Sequence, residues 1–567
     1  MKNMLTKLLS GALFTILCIG IISFASVSAK TLTPSKGLDY AYTKNENGLI
    51  YGVNGIGSCT DKYVVIAATD PDGKKVERIN TFAFRDCETV EEIYIEDGIT
   101  DISSYAFENC PNLKKIRFPE GMTTVDSKIF GFFVQNSSLE EVELPTTVKR
   151  IEDNAFKDLK KLKSIKIPSG VEYIGNNAFE NCSSLKKIVI PKAVRTIGEA
   201  AFSGCSSLSQ VTLPANLKNI PDKLFVSCSS LKKIVIPKNV TKIGNAAFAY
   251  CGKLKTVKMY NKVKVLGDDV FSGCSSMTSL KLPGKLKKIG RNAFAGSGLK
   301  KLVIPASLTN IGAHAFASCH SLKYVDFKGS KSKIIDAGRY ALSFSDRSLL
   351  AISDSLLVKF KGHELMISAE IDDSACVDMY LMGLISSKSL TKSEREDCKL
   401  IKTIAKKEMK ISSKDSYYEK VKKVHDWLVL NTTYSLYRTY DLRGKGVSEY
   451  KIILKHHTGV CVNYAYAFKS FLAYLGVPCY YINNPDMEHA YNMVRMDDGK
   501  WYYVDVTWDD PTNNPNEGSK VSCYSLEYFL RDEAHFKDHE GAVMKLPKSK
   551  GGKYETNYPH TEAYIVK

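Results

Sequence analysis

The sequence predicts a chain of two folded parts: a solenoid of short repeats carrying a parallel strand ladder, then a separate domain of helices and paired strands. Three observations predict this. The 567 residues are 44% hydrophobic and 25% charged, enough for about three or four core-bearing units and unlike a disordered tail or a miniprotein. A phenylalanine recurs through the middle of the chain with a period of 23. Past about residue 350 that period ends, and apolar positions take up helical spacing.

At the N-terminus, Lys2 and Lys7 precede an apolar run from Leu8 to Ala25, and Val27-Ser28-Ala29 supplies small residues before a cleavage point. Residues 1–29 therefore read as a signal peptide, with an uncleaved anchor as the alternative because the run approaches the ~20 residues of a membrane span. No second apolar stretch has that length, and Tyr564 to Lys567 carries no wall-sorting or lipid-anchor signal. The expected location is secreted or non-covalently cell-surface associated, with no stable membrane span after cleavage. The formal charge is +18, of which Lys2 and Lys7 account for two, so an anionic neighbour is expected.

Residues 30–83 read as an N-terminal cap, with Tyr63 to Ile66 as an irregular first rung. Residues 84–350 form the solenoid. Its landmarks run from Phe84 through Phe107, Phe130 and Phe156 to Phe316, spaced by 23 in eight of ten intervals. One unit shows the logic: Leu185, Ile188 and Ile190 carry the inward pattern, Pro191 ends the strand, and Gly198 permits a turn before Ala201-Phe202. A single unit cannot bury its apolar face, but a stack can, and eleven rungs at about 4.8 Å would run roughly 50 Å. The pattern resembles the treponemal, or BspA-like, leucine-rich repeats of bacterial surface proteins.

Two columns of the repeat bear on function. Eight of the 15 cysteines, Cys182 and Cys205 among them, stand three residues after a landmark phenylalanine, which reads as a packing choice. A lysine follows the strand-leading apolar residue in seven of eleven units, including Lys114, Lys163, Lys186, Lys232 and Lys300. That row is read either as a solvated face or as a surface for a host protein or an anionic cell-wall polymer. Nucleic acid is not expected, since no recognition motif accompanies the lysines.

Residues 351–399 read as a connector and 400–567 as the second domain. Helical patterns cover Asp397 to Lys410 and Tyr417 to Val429. Cys461, in Gly459-Val-Cys-Val-Asn-Tyr-Ala465, opens an amphipathic helix, where free amides and the helix dipole favour a thiolate. His489 begins a strand, and a turn at Asp497 to Lys500 leads into a second strand, Trp501 to Trp508, which carries Asp505. A two-residue loop sets His489 opposite Trp508 with Asp505 on the other face. A three-residue loop sets it opposite Thr507 with Asp505 diagonal on the same face, and the sequence leaves both open.

A thiolate to attack a carbonyl, an imidazole to carry the proton and a carboxylate to orient the imidazole make a nucleophilic triad. Gly-Val-Cys461-Val-Asn-Tyr-Ala, His489-Ala-Tyr-Asn and Trp501-Tyr-Tyr-Val-Asp505-Val-Thr-Trp508 together resemble the transglutaminase-like superfamily. The resemblance implies an α+β papain-like fold, with Cys461 as nucleophile, His489 as general base and acid, and Asp505 as the orienting carboxylate. Asn463 departs from the Gly or Asp often found there. The oxyanion hole would use the Cys461 amide and an upstream donor, for which Tyr434 is a candidate with core packing as the alternative.

His456-His457 is not expected to bind zinc, because adjacent side chains on extended backbone point apart. No metal or other cofactor is expected, and Cys376, Cys398, Cys479 and Cys523 read as core or loop thiols. The expected function is exported, cysteine-dependent acyl transfer on protein or peptide amides, ending in hydrolysis or in transfer to an amine. The rival reading is a surface adhesin with a catalytically inactive second domain.

Overall fold

A computed structural model describes residues 33–509 except 46–47, 100, 131–137, 323, 329–335, 338–355, 361–362, 368–373 and 485–487, together with 523–524, 529–531 and 564–565. The expected signal peptide, residues 1–29, and Lys323 lie outside the described residues. The cap is an antiparallel hairpin of β1 (Asp39–Asn45) and β2 (Gly48–Gly55). β2 then pairs in parallel with the first short strand of the stack, Arg78–Ile79.

Each rung contributes a strand to one or both of two parallel ladders. In the strand Lys187–Val189, Ile188 is buried while Lys187 and Val189 face out. It pairs in register with Gln210–Thr212, one rung of 23 residues further on. The second, shorter ladder pairs Tyr173–Ile174 with Thr196–Ile197. Between the ladders the landmark phenylalanines stack, with centroids of successive rings 5.1 to 6.3 Å apart from Phe130 to Phe316. Burying each ring contributes roughly 1.5–3 kcal/mol, repeated at every rung.

Two repeat positions have different reasons from those expected. Gly198 does not turn the chain through a positive φ; a Cβ there would lie 2.3 Å from the backbone nitrogen of Asn176, so glycine permits close approach of rungs. The left-handed residues of that rung are Ala200 and Gly204, at φ 55° and 72°. The cysteine column is also a hydrogen-bond ladder. The Sγ atoms of Cys182, Cys205, Cys228, Cys251 and Cys274 lie 3.1 to 3.2 Å from the carbonyl oxygen of the landmark phenylalanine one rung back. The 13 cysteines whose side chains are described are free thiols.

Past the last landmark the sheet does not stop. β3 (Tyr324–Phe327) pairs with Lys301–Ile304 on one side and β4 (Leu356–Phe360) on the other. β4 forms a hairpin with β5 (His363–Ile367), and Leu365 of β5 pairs with Cys479 of the C-terminal domain. Residues 351–399, expected to be a connector, therefore supply two strands of a continuous eight-stranded sheet. They also supply α1 (Ser374–Leu381) and the start of α2 (Lys392–Lys407). The reason is burial: Asp378 of α1 is inaccessible and pairs with the equally buried Lys469 at 3.1 Å.

The C-terminal domain continues with α3 (Tyr417–Asn431), β6 (Thr433–Tyr434), α4 (Leu436–Gly444), α5 (Glu449–His456), β7 (Thr458–Gly459) and α6 (Cys461–Leu475). The strands β8 (Cys479–Asn484), β9 (His489–Arg495), β10 (Trp501–Val504) and β11 (Phe529–Arg531) complete the sheet. Thr391 with Glu394, and Ser416 with Glu419, form capping boxes that start α2 and α3. α6 is the central helix, with Phe468, Phe471 and Leu472 fully buried. It ends at Gly476, whose φ of 74° makes the left-handed cap.

Candidate active site

The site assembles where the N-terminus of α6 meets the start of β9. β6 pairs in parallel with β7, setting Tyr434 beside Gly459 two residues before Cys461. The first turn of α6 is closed from both sides: the Asn463 amide donates to the Val460 carbonyl at 2.8 Å, and its side-chain oxygen accepts from the Val460 amide at 3.0 Å. Asn463 Nδ2 donates to Glu449 at 2.6 Å, and Arg443 holds the same carboxylate through Nε and Nη2 at 2.7 and 2.8 Å. Asn463 thus ties the nucleophile's helix to α5 through its amide group.

Cys461 is only 6% exposed. His489 lies between it and Asp505, with Nε2 2.5 Å from Asp505 Oδ2 and a side-chain hydrogen bond to the Cys461 thiol. Burial opposes the charged imidazole, but hydrogen bonds to Asp505 and Cys461 outweigh it and raise His489 to about 9. Asp505 is fully buried, and its Oδ1 accepts from the backbone amides of Thr507 and Trp508 at 3.0 and 3.2 Å. The Trp508 ring leans over His489, with centroids 5.3 Å apart.

The hairpin takes the three-residue-loop register, since Arg495 pairs with Trp501 and Asn492 with Val504. The strand expected through Trp508 ends at Val504. There Asp505 turns the chain by capping the amides that follow it, which frees its other oxygen for His489. Asn492 fixes the helix against the strand, donating to the carbonyls of Ala465 and Tyr480 at 3.1 and 3.0 Å.

Tyr434 is half-buried and packs against the hydrophobic core, and burial, then Cys461 and Tyr440, raise its phenol. His456 and His457 are not on extended backbone: His456 ends α5 and His457 is its left-handed cap, with φ 53°. Among the described residues no three His, Cys, Asp or Glu side chains are grouped to hold a metal ion. Cys398 and Cys479 are buried and Cys376 is half-buried, while the Cys523 side chain lies outside the described residues.

A second histidine was not anticipated. His425 of α3 is fully buried, with Nε2 3.1 Å from Asp509 and Nδ1 3.2 Å from Asp426. Burial opposes its charge, but the two carboxylates raise it above its ordinary value. The Asp509 amide donates to the Asp505 carbonyl at 3.2 Å, so His425 anchors the turn that presents Asp505. The available signal was a lone histidine on the apolar face of a helix, beside Val421, Val424 and Leu428.

Comparison with known proteins places both parts. A family model for the BspA type leucine-rich repeat region, present in six copies, matches residues 71–135, 131–255 and 241–356. The transglutaminase-like superfamily model matches residues 404–506. The chain belongs to the BspA-type leucine-rich repeat family and carries a C-terminal transglutaminase-like domain.

Among solved structures, a leucine-rich repeat protein from Bacteroides ovatus is 24% identical, covering 54% of this chain and 99% of its own, with a TM-score of 0.30. The pneumococcal vaccine antigen PcpA is 21% identical, covering 57% and 90% at a TM-score of 0.36. A transglutaminase structure is 19% identical, covering 31% and 48% at a TM-score of 0.18. No curated protein matches the chain. No helix among the described residues is long and apolar enough to cross a membrane.

Proposed function

We propose that the protein is an exported, cysteine-dependent acyl-transfer enzyme that acts on amides of a protein or peptide, with the repeat solenoid as its binding part. The observation that carries this reading is His489 held between the Asp505 carboxylate and the Cys461 thiol in a buried site. With the proton held on His489, the sulfur of Cys461 attacks the amide carbonyl. The C–N bond breaks, His489 gives its proton to the leaving amine, and a thioester forms. Water or a second amine then attacks the thioester, returning a proton to His489 and releasing Cys461. The oxyanion is received by the Cys461 backbone amide and the Tyr434 hydroxyl. Export rests on residues 1–29, which have the pattern of a signal peptide.

The test is thiol labelling by an amide-like electrophile. Cys461 reacts much faster than every other cysteine, and Cys461→Ala removes the fast phase. Uniformly slow labelling of the wild type would sink the enzyme and favour the adhesin. Incubating the active protein with a glutamine peptide, with and without a primary amine, separates deamidation, cleavage and cross-linking by product mass.

A further inference from the structure

The stack is electrically divided. Residues 84–180 hold 12 Lys and Arg against 18 Asp and Glu, whereas residues 181–310 hold 22 against 4, a net +18 equal to the formal charge of the whole chain. On the longer ladder the division is sharper. The segments 88–95, 111–118, 137–144 and 160–167 carry seven basic and six acidic residues, alternating in sign from rung to rung. These neutralise one another: Lys114 meets Glu91 at 2.6 Å, Lys115 meets Glu143 at 2.7 Å, and Lys163 meets Glu140 at 2.5 Å. Lys114 and Lys163, expected to belong to the basic row, are therefore paired, and the row begins at Lys186.

The next six segments, 183–190, 206–213, 229–236, 252–259, 275–282 and 298–305, carry ten lysines and no carboxylate. All ten are exposed, and among the described residues none has an ion-pair partner. Lys187, Lys233 and Lys301 stand on the outer sheet face with Val189, Val235 and Val303, which are 50%, 40% and 38% exposed. At about 4.8 Å per rung the row is roughly 24 Å long. Like charges in adjacent rungs fall within a Debye length of about 8 Å and repel, so leaving them uncompensated has a cost. The repeat itself does not impose that cost, because the earlier rungs carry glutamate in the same columns.

The ligand chemistry follows from the residue type. The fork of arginine fixes carboxylate and phosphate alike in bidentate geometry, and this face has none; ten flexible ammonium groups suit a repeating anion met as point charges without fixed orientation, which is how lysine binds phosphate. We propose that this face binds a linear polyol-phosphate polymer lying along the stacking axis, with its phosphates on the lysine columns and its carbon backbone against the exposed valines. The site is separate from Cys461, and the proposal does not rest on acyl transfer.

The full chain is titrated with poly(glycerol phosphate) of defined length across a series of NaCl concentrations. Binding is expected at about 0.15 M salt. The variant K232Q/K233Q/K255Q/K258Q is expected to bind about tenfold or more weakly, with a shallower log–log salt slope. The variant K242Q/K262Q/K264Q/K288Q removes equal charge from the other ladder and its turns, and is expected to lose less than about threefold. Thermal melts verify that both variants fold. Equal losses in the two variants, absence of wild-type binding at that salt, or tighter binding of polyglutamate of matched length would each overturn the proposal. Cys461→Ala should bind like the wild type, which separates this result from the fate of the enzyme reading.

Discussion

The protein buries cysteines in two settings that differ in what lies beside the sulfur. In the solenoid a thiol faces the carbonyl of the rung behind it, and burial pushes Cys110, Cys205 and Cys274 up to about 12. In the C-terminal domain Cys461 is also buried, but it sits at a helix N-terminus against an imidazole that is itself held by a carboxylate. Burial alone therefore makes a structural thiol, and a titratable partner is what equips one for chemistry.

The comparison breaks most visibly at the nucleophile. Cys461→Ala is expected to abolish peptide turnover, measured by product mass, while Cys228→Ala leaves turnover unchanged. Asp505→Asn keeps the turn but loses the carboxylate that orients His489, and a fall in kcat of about 10³- to 10⁴-fold is expected from steady-state kinetics.

A pH series tests the same partnership. His489 is raised above its unfolded value, so the stabilisation from its charged pairing is complete below about 6.5 and lost as pH rises through about 9. Turnover should decline along that alkaline limb, because the proton for the leaving amine is gone. An alkaline limit unchanged in Asp505→Asn would detach it from this pair. The smallest effect is in the ladder. Cys228→Ala forfeits one weak hydrogen bond and leaves a small void, and calorimetry should register a loss of about 1 kcal/mol in the solenoid transition.

The legible part of this molecule was the part that repeats. The 23-residue period fixes strand pairing because each rung meets only its neighbours, and Lys187 pairs with Gln210 as the spacing requires. In the C-terminal domain the residue types and chain order of Cys461, His489 and Asp505 are legible, but the hairpin register is not, and the pairing of Arg495 with Trp501 decides it. Contacts between distant segments left no local trace. His425 and Asp509 are 84 positions apart, and the Arg443–Glu449–Asn463 chain joins three elements, two of which, α4 and α5, carried no pattern strong enough to be recognised. The strand carrying Asp505 is shorter than its pattern, because Val506 and Trp508 continue an apolar alternation that the side-chain cap interrupts.

The sheet that runs unbroken from the last rungs into the C-terminal domain also bears on how such a chain can vary between lineages. Duplication or loss of one 23-residue unit upstream would change the reach of the solenoid in steps of about 4.8 Å. The hydrogen bonds of β3, β4 and β5 would be untouched, because they involve only the final rung and its neighbours. Copy number could then drift under selection for reach while the surroundings of Cys461 stayed as they are.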